Sequence, residues 1–111
     1  MSDLRLREFE ELVLLSVLIA RPIAYGASLQ RVLEEEAHRK VTLGAIYTAL
    51  ERLTRKRLVR SAMSDPIPVQ GGRSRRQYEL TREGVRQVAF IRRIREGMWA
   101  KADAFGKGAG S

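Results

Sequence analysis

Two groups of residues in this chain have types and spacings that suit contact with a polyanion. The first lies in Lys40 to Val59, KVTLGAIYTALERLTRKRLV. At ~100° per residue, Gly44, Ala45, Thr48, Arg52 and Arg55 share one helix face: small near the N-terminus, a hydroxyl in the middle, guanidinium beyond. Small side chains let backbone approach a surface, a helix N-terminus favours anions, and arginines one or two turns later reach phosphates or guanine edges. We read this face as that of a DNA recognition helix. The same residues also suit an ordinary amphipathic helix with a solvated basic face. The second group, Gly71, Gly72, Arg73, Ser74, Arg75 and Arg76, puts three arginines in four residues behind a flexible glycine pair. Arginines so placed would lie along phosphates or in a minor groove, or else form a solvated loop that touches nothing.

Chemistry of other kinds has little to stand on. His38 has no second histidine or cysteine in reach, so no metal site is expected. There is no Ser/His/Asp set, Glu34 to Glu36 splay around a helix, and no glycine-rich phosphate loop precedes a lysine. The expectation is a protein without a catalytic site or cofactor.

The elements that must position these groups follow from periodicity. Leu6 to Ala20 reads as a helix with Leu6, Phe9, Val13 and Val17 on one stripe, and Leu12, Leu14, Leu15, Leu18 and Ile19 spreading apolar surface around most of the rest. A helix apolar on nearly every side must be buried on more than one, and a second copy of the chain is the simplest cover. Pro22 biases Arg21 away from helix, and Tyr25-Gly26 turns the chain into a second helix, Ala27 to Ala37, with the stripe Leu29, Val32 and Leu33. Thr42 caps the third helix, whose core stripe is Leu43, Ile46, Ala49, Leu50 and Leu53. Two short helices of this kind resemble a helix-turn-helix with a longer connection.

After Lys56 the period changes to about 2. Leu58 to Met63 and Gln77 to Leu80 read as the strands of a β-hairpin with a long tip, the wing of a winged helix. Thr81 then caps a long helix to about Ala102 with a seam of Val85, Val88, Ile91, Ile94 and Met98, flanked by Phe90 and Trp99 on one side and by arginines on the other. That seam outlasts the core beneath it and is expected to pair with a neighbouring chain. The expected organisation is a winged helix-turn-helix over residues 1–81, a C-terminal dimerisation helix over 82–103 and a flexible tail over 104–111: mainly α with a small β-hairpin wing.

Composition agrees with this reading. A chain of 111 residues, 44% hydrophobic and 31% charged, suits one globular domain. It has no cysteine, which fits a reducing cytoplasm. The apolar run Leu12 to Ala20 is too short to span a bilayer, and Glu8, Glu10 and Glu11 before it are wrong for a secretory leader, so a cytoplasmic protein is expected. Net charge is +8, and it is one-sided: residues 1–38 carry four arginines against seven acids, while residues 39–111 carry seventeen Lys and Arg against six acids. The basic partner surface lies in the second part, and DNA, RNA and anionic membrane all qualify as its partner. No aromatic stacking platform favours RNA.

The strings LVLLSVL, Tyr25-Gly26, TLGAIYTALERLTRKRLV and GGRSRRQYELTREG, in this order, resemble the PadR family of winged helix-turn-helix transcriptional regulators, in particular its short members with a single C-terminal helix. The family string LG-x-[IL]-Y-x-x-L-x-x-L is met by Leu43, Gly44, Ile46, Tyr47, Leu50 and Leu53, and Y-x-L-T-x-x-G by Tyr78, Leu80, Thr81 and Gly84. The likeness runs from about Leu4 to Trp99. It implies a homodimer built from the first and last helices, with two recognition helices in successive major grooves of a palindromic operator. It also implies repression, with release by a small aromatic effector in some members. Carried over residue by residue, Thr42, Gly44, Tyr47 and Thr48 sit at the DNA and Arg73, Arg75 and Arg76 on the wing. With Leu43 and Arg52 these complete the candidate DNA-binding set.

Leu12, Leu15, Ile91, Ile94, Met98 and Trp99 form the candidate dimer interface, Trp99 also being a candidate effector contact. Tyr47 and Trp99 each have a plainer reading, as a packing residue at the edge of a helix face and as buried area between subunits. A protein-binding winged-helix module with a basic wing is the alternative function. One departure stands out: the family usually has glycine where this chain has Arg57, and a left-handed backbone there would cost on the order of 1 kcal/mol.

Overall fold

In the computed structural model the described residues are 6–63 and 75–110, with side chains described through Phe105. The order is α1 (Glu8–Ile19), α2 (Gly26–Ala37), α3 (Leu43–Arg55), β1 (Val59–Met63), β2 (Arg76–Leu80) and α4 (Arg82–Gly110). β1 and β2 form an antiparallel hairpin in the register Val59 to Leu80 through Met63 to Arg76. The fold is mainly helical with a hairpin wing, as the alternation of periods implies.

The core is where the stripes of three helices converge. Val13, Leu14 and Val17 of α1, Leu29 and Leu33 of α2, and Ile46, Leu50 and Leu53 of α3 are fully buried together with Leu58 and Val59. Each such side chain contributes about 1.5–3 kcal/mol by leaving water. Ser16 is buried among them and satisfies its own hydroxyl, which donates to the Leu12 carbonyl at 2.8 Å. Leu43 departs from the expected stripe. It sits at the very start of α3 and is 41% exposed.

α4 runs further than the expected end at Ala102, through Gly110. A helix already nucleated adds residues cheaply, and even glycine costs only about 1 kcal/mol relative to alanine, so the first glycine is a weak stop. The expected flexible tail over 104–111 is therefore helical as far as Gly110. Twenty-nine residues at 1.5 Å each span about 43 Å, well beyond the three-helix core.

Two local devices shape the core's edges. Glu10 is almost fully buried in the first turn of α1; its Oε1 accepts from Lys56 Nζ at 2.8 Å and from the Arg7 backbone N–H at 3.2 Å. Burial opposes its ionisation, but these bonds and the positive charges of Lys56 and Arg7 outweigh it and hold the carboxyl below its ordinary range. The second oxygen, Oε2, is buried without a hydrogen-bond partner among the described residues.

The other device closes α3. Arg57 has φ 62°, the left-handed backbone that the family's glycine would supply. The Leu58 N–H donates to the Leu53 carbonyl at 3.0 Å and the Arg57 N–H to that of Thr54 at 2.9 Å, a Schellman closure with Leu53 and Leu58 in the core. His38 takes a left-handed conformation too, φ 56°, after α2, which nothing in its neighbourhood of the sequence announces.

Two stability outcomes follow. Arg57→Gly raises stability by about 0.5–1 kcal/mol, the left-handed strain relieved less the extra chain entropy of glycine, seen as a melting temperature several degrees higher. A lower melting temperature would mean that the arginine side chain contributes more than its backbone costs. Lys56→Met destabilises by about 2–3 kcal/mol at pH 7, because a buried carboxylate loses its partner. Since Glu10 has a lowered pKa when folded, the pair's contribution is complete above the unfolded value of about 4.3 and fades as pH falls through the folded one. Urea unfolding of both chains at pH 7 and pH 3 should show the Lys56→Met deficit shrinking in acid.

Candidate nucleic-acid interface

α3 begins on Thr42, whose Oγ1 accepts the Ala45 N–H at 3.1 Å. With Ile46, Ala49, Leu50 and Leu53 committed to the core, Leu43, Gly44, Ala45, Tyr47 and Thr48 are exposed and Arg52 is half-buried. Gly44 is informative about what this face serves. A Cβ built there would meet nothing closer than Thr42 Oγ1 at 3.9 Å, so no packing inside the subunit asks for glycine. Thr54 spends its hydroxyl on the Leu50 carbonyl at 2.8 Å, whereas Thr48 makes no such bond among the described residues. The sequence reading overlooked Glu51, one turn past Tyr47 on the same face, which pairs with Arg55 at 3.2 Å with both side chains well exposed. That pair is weak in water and leaves Arg55 able to exchange partners.

The wing sits beside this helix through the segment before α2. The Tyr78 N–H donates to the Ala24 carbonyl at 2.8 Å, so residue 24 lies against the inner edge of β2. Arg75 places its guanidinium 4.4 Å from the centre of the Tyr25 ring. Arg76 opens β2 in register with Met63, one residue earlier than Gln77, and donates to Ser61 Oγ at 3.0 Å. Of the three wing arginines, Arg76 is therefore in the ladder pair next to the tip, and Arg75 immediately precedes it in the chain. Arg73, with Gly71, Gly72 and Ser74, lies outside the described residues.

Tyr47 resolves as a residue with both roles. It is 45% exposed, yet it rests over Gly26, where an added Cβ would come within 2.8 Å of its Cζ. Burial pushes the Tyr78 phenol pKa up, opposed by the Arg76 charge and reinforced by Tyr47. All three tyrosines of the chain thus meet where α2, α3 and the wing join.

A second surface lies between α1 and α4. A groove of about 1040 Å³ is lined by Leu15, Leu18, Val85, Val88 and Trp99 together with Arg92 and Glu96. Arg95 holds its α1 side, donating to both oxygens of Glu11 at 2.6 and 3.1 Å. The expected single seam on α4 divides in two. Val85, Val88 and Trp99 turn into the groove, while Phe90, Ile94 and Met98 lie on the far side, 51%, 46% and 68% exposed. Phe90 and Trp99, nine residues apart, are about 180° apart around the helix, so they cannot flank one seam on the same side. Ile91 is half-buried, and Leu12 packs partly against the core, leaving Leu15 and Trp99 as the exposed members that line the groove.

No described helix is long and apolar enough to cross a membrane, and no group of metal-ligating side chains occurs among the described residues. Residues 14–89 match the transcriptional regulator PadR-like family. A PadR-like transcriptional regulator from Bacillus cereus shares 21% identity and superposes with a TM-score of 0.70 over 87% of this chain and 89% of that one. A PadR-like transcription factor from Bacteroides fragilis gives 22% identity and 0.70 over 87% and 88%, and a Streptococcus transcriptional regulator 27% and 0.67 over 87% and 90%. No curated protein sequence matches. With two-thirds of its length inside the family match, a winged-helix fold shared with these regulators, and a bare, small-residue face on the third helix, the chain belongs to the PadR-like family of DNA-binding transcriptional regulators.

Proposed function

We propose that the protein is a homodimeric, sequence-specific repressor that places its two α3 helices in successive major grooves of a palindromic operator. The observation that carries this is the outward face of α3: Gly44 is required by nothing within the subunit, and Thr48 beside it keeps its hydroxyl available. Thr42, Leu43, Gly44, Tyr47, Thr48 and Arg52 then meet the duplex, with Arg73 and Arg76 on phosphates.

Dimerisation is supported by complementarity within one chain. Each α4 carries an exposed apolar stripe on one side and borders an apolar groove on the other, so a two-fold arrangement lets each stripe enter the partner's groove. Leu15, Ile94, Met98 and Trp99 would be central to it, with Leu12 and Ile91 at its margin. Trp99, 65% exposed in the groove wall, also offers a flat face on which a small aromatic effector could stack, loosening the dimer's hold on DNA. Such a regulator works on the chromosome, in the cytoplasm.

One observation favours a protein partner instead: Leu43 and Tyr47 are large, exposed and adjacent at the start of α3, as anchors of an interaction module would be. Native mass measurement with and without duplex parts the two readings.

Selection of duplexes from a random-sequence pool should enrich a palindrome, and log K for it should fall with log salt by roughly 0.9 per phosphate neutralised; a flat dependence would sink the proposal. Arg76→Ala is expected to weaken all sequences alike and flatten that slope, whereas Thr48→Ala should alter which base is preferred. For the dimer, Met98→Asp should yield a monomer in sedimentation with the subunit fold intact. A Met98→Asp chain that still sediments as a dimer would remove α4's outer stripe from the interface.

A further inference from the structure

One turn, Ala24 to Gly26, touches both elements that would face DNA. Gly26 gives the Tyr47 ring of α3 its seat, since a Cβ at that position would press into the phenol. Ala24 holds the wing by its backbone, accepting the Tyr78 N–H at 2.8 Å. Tyr25 lies between them, half-buried, with Arg75 over its ring at 4.4 Å, well inside the range at which a guanidinium is drawn to an aromatic face. The turn itself is pinned, because Ser28 Oγ accepts the Tyr25 N–H at 3.0 Å and its one proton is shared between the Tyr25 and Ile23 carbonyls at 2.9 and 3.2 Å.

Successive side chains along a strand point to opposite faces. Arg76 accordingly goes the other way, exposed and bonded to Ser61, while Arg75 is half-buried on the tyrosine. Two neighbouring arginines of equal charge thus have different surroundings: one is free to meet a phosphate and the other is engaged with its own fold.

We propose that Tyr25 is a positioning residue for DNA binding: its ring holds Arg75, and with it the start of β2, so that the wing keeps a set placement relative to α3. Arg75 then acts through the wing's position and not as a phosphate contact. This rests on the DNA-binding reading above, and it assigns to Arg75 a role different from the one carried over from the family.

The test uses the full chain and the duplex enriched by the unaltered protein. Tyr25→Phe, which keeps the ring, should bind like the parent. Tyr25→Leu and Arg75→Ala should each weaken binding about fivefold with the salt slope unchanged, and the double variant should be no weaker than either single one. Amide hydrogen exchange without DNA should show β2, the Tyr78 N–H above all, exchanging faster in both single variants than in the parent or in Tyr25→Phe.

An Arg75→Ala slope flattened by about 0.9 makes Arg75 a phosphate contact and overturns the proposal, as does a double variant whose losses multiply. Unchanged exchange at β2 overturns it as well. If Tyr25→Leu does not fold, Arg75→Ala decides by its slope and its exchange. Should the parent enrich no duplex, the DNA-binding reading falls, and the exchange measurements alone decide whether Tyr25 holds the wing.

Discussion

The placement of every functional surface depends on how α3 is closed. Leu53 and Leu58 are buried on either side of a left-handed residue, and the Leu58 carbonyl accepts the Thr81 N–H at 3.0 Å. The Thr81 hydroxyl donates to the Arg57 carbonyl at 2.7 Å and caps α4 by accepting the Gly84 N–H at 3.0 Å. Gly84 lies so near the Leu58 carbonyl that a Cβ would collide with backbone, which cannot yield as a side chain can. At this node α3, both wing strands and α4 are joined within a few residues. The angle between α3 and α4 is set there by hydrogen bonds and hard contact.

The glycines show how such a small domain separates inward from outward demands. Gly26 and Gly84 are small because another part of the chain occupies the space, under the Tyr47 ring in one case and against the Leu58 backbone in the other. Gly44 has open space where its side chain would be. Glycine in a helix costs about 1 kcal/mol relative to alanine, so an unneeded one in α3 weakens the element it sits in unless something outside comes close. A similar contrast runs through the charges. Glu10, Lys56, Glu11 and Arg95 tie the first helix to the third and fourth, while arginines of the second half remain on the surface. Pairing with acids leaves the net charge of +8 unchanged, since each ion pair is neutral.

Much of the candidate site was legible because it rests on local rules. The Thr42 cap, the buried stripe Ile46, Ala49, Leu50, Leu53 and the bareness of Gly44 and Thr48 all follow from helical periodicity and side-chain chemistry within thirteen residues. The departures are of two kinds, one set by distant partners and one visible within a single helix. Leu43 fits the apolar period but stands at the first position of α3 and is exposed. Glu51 sits on the basic face and was passed over, although its spacing to Arg55 was visible. Phe90 and Trp99 were placed together, when counting at 100° per residue separates them.

From residue types and their order alone came the element sequence, the family, the excess of positive charge in the second half and the helix face left without apolar cover. These are properties of neighbours along the chain, where spacing translates directly into direction. Only the folded subunit decided that Arg75 stacks on Tyr25, that Tyr47 rests over Gly26, that Glu10 is buried against Lys56 and that α4 divides its apolar surface between a groove and an outer stripe. Each joins residues tens of positions apart, and such a meeting depends on the angles at which whole helices pack, which no short-range pattern encodes.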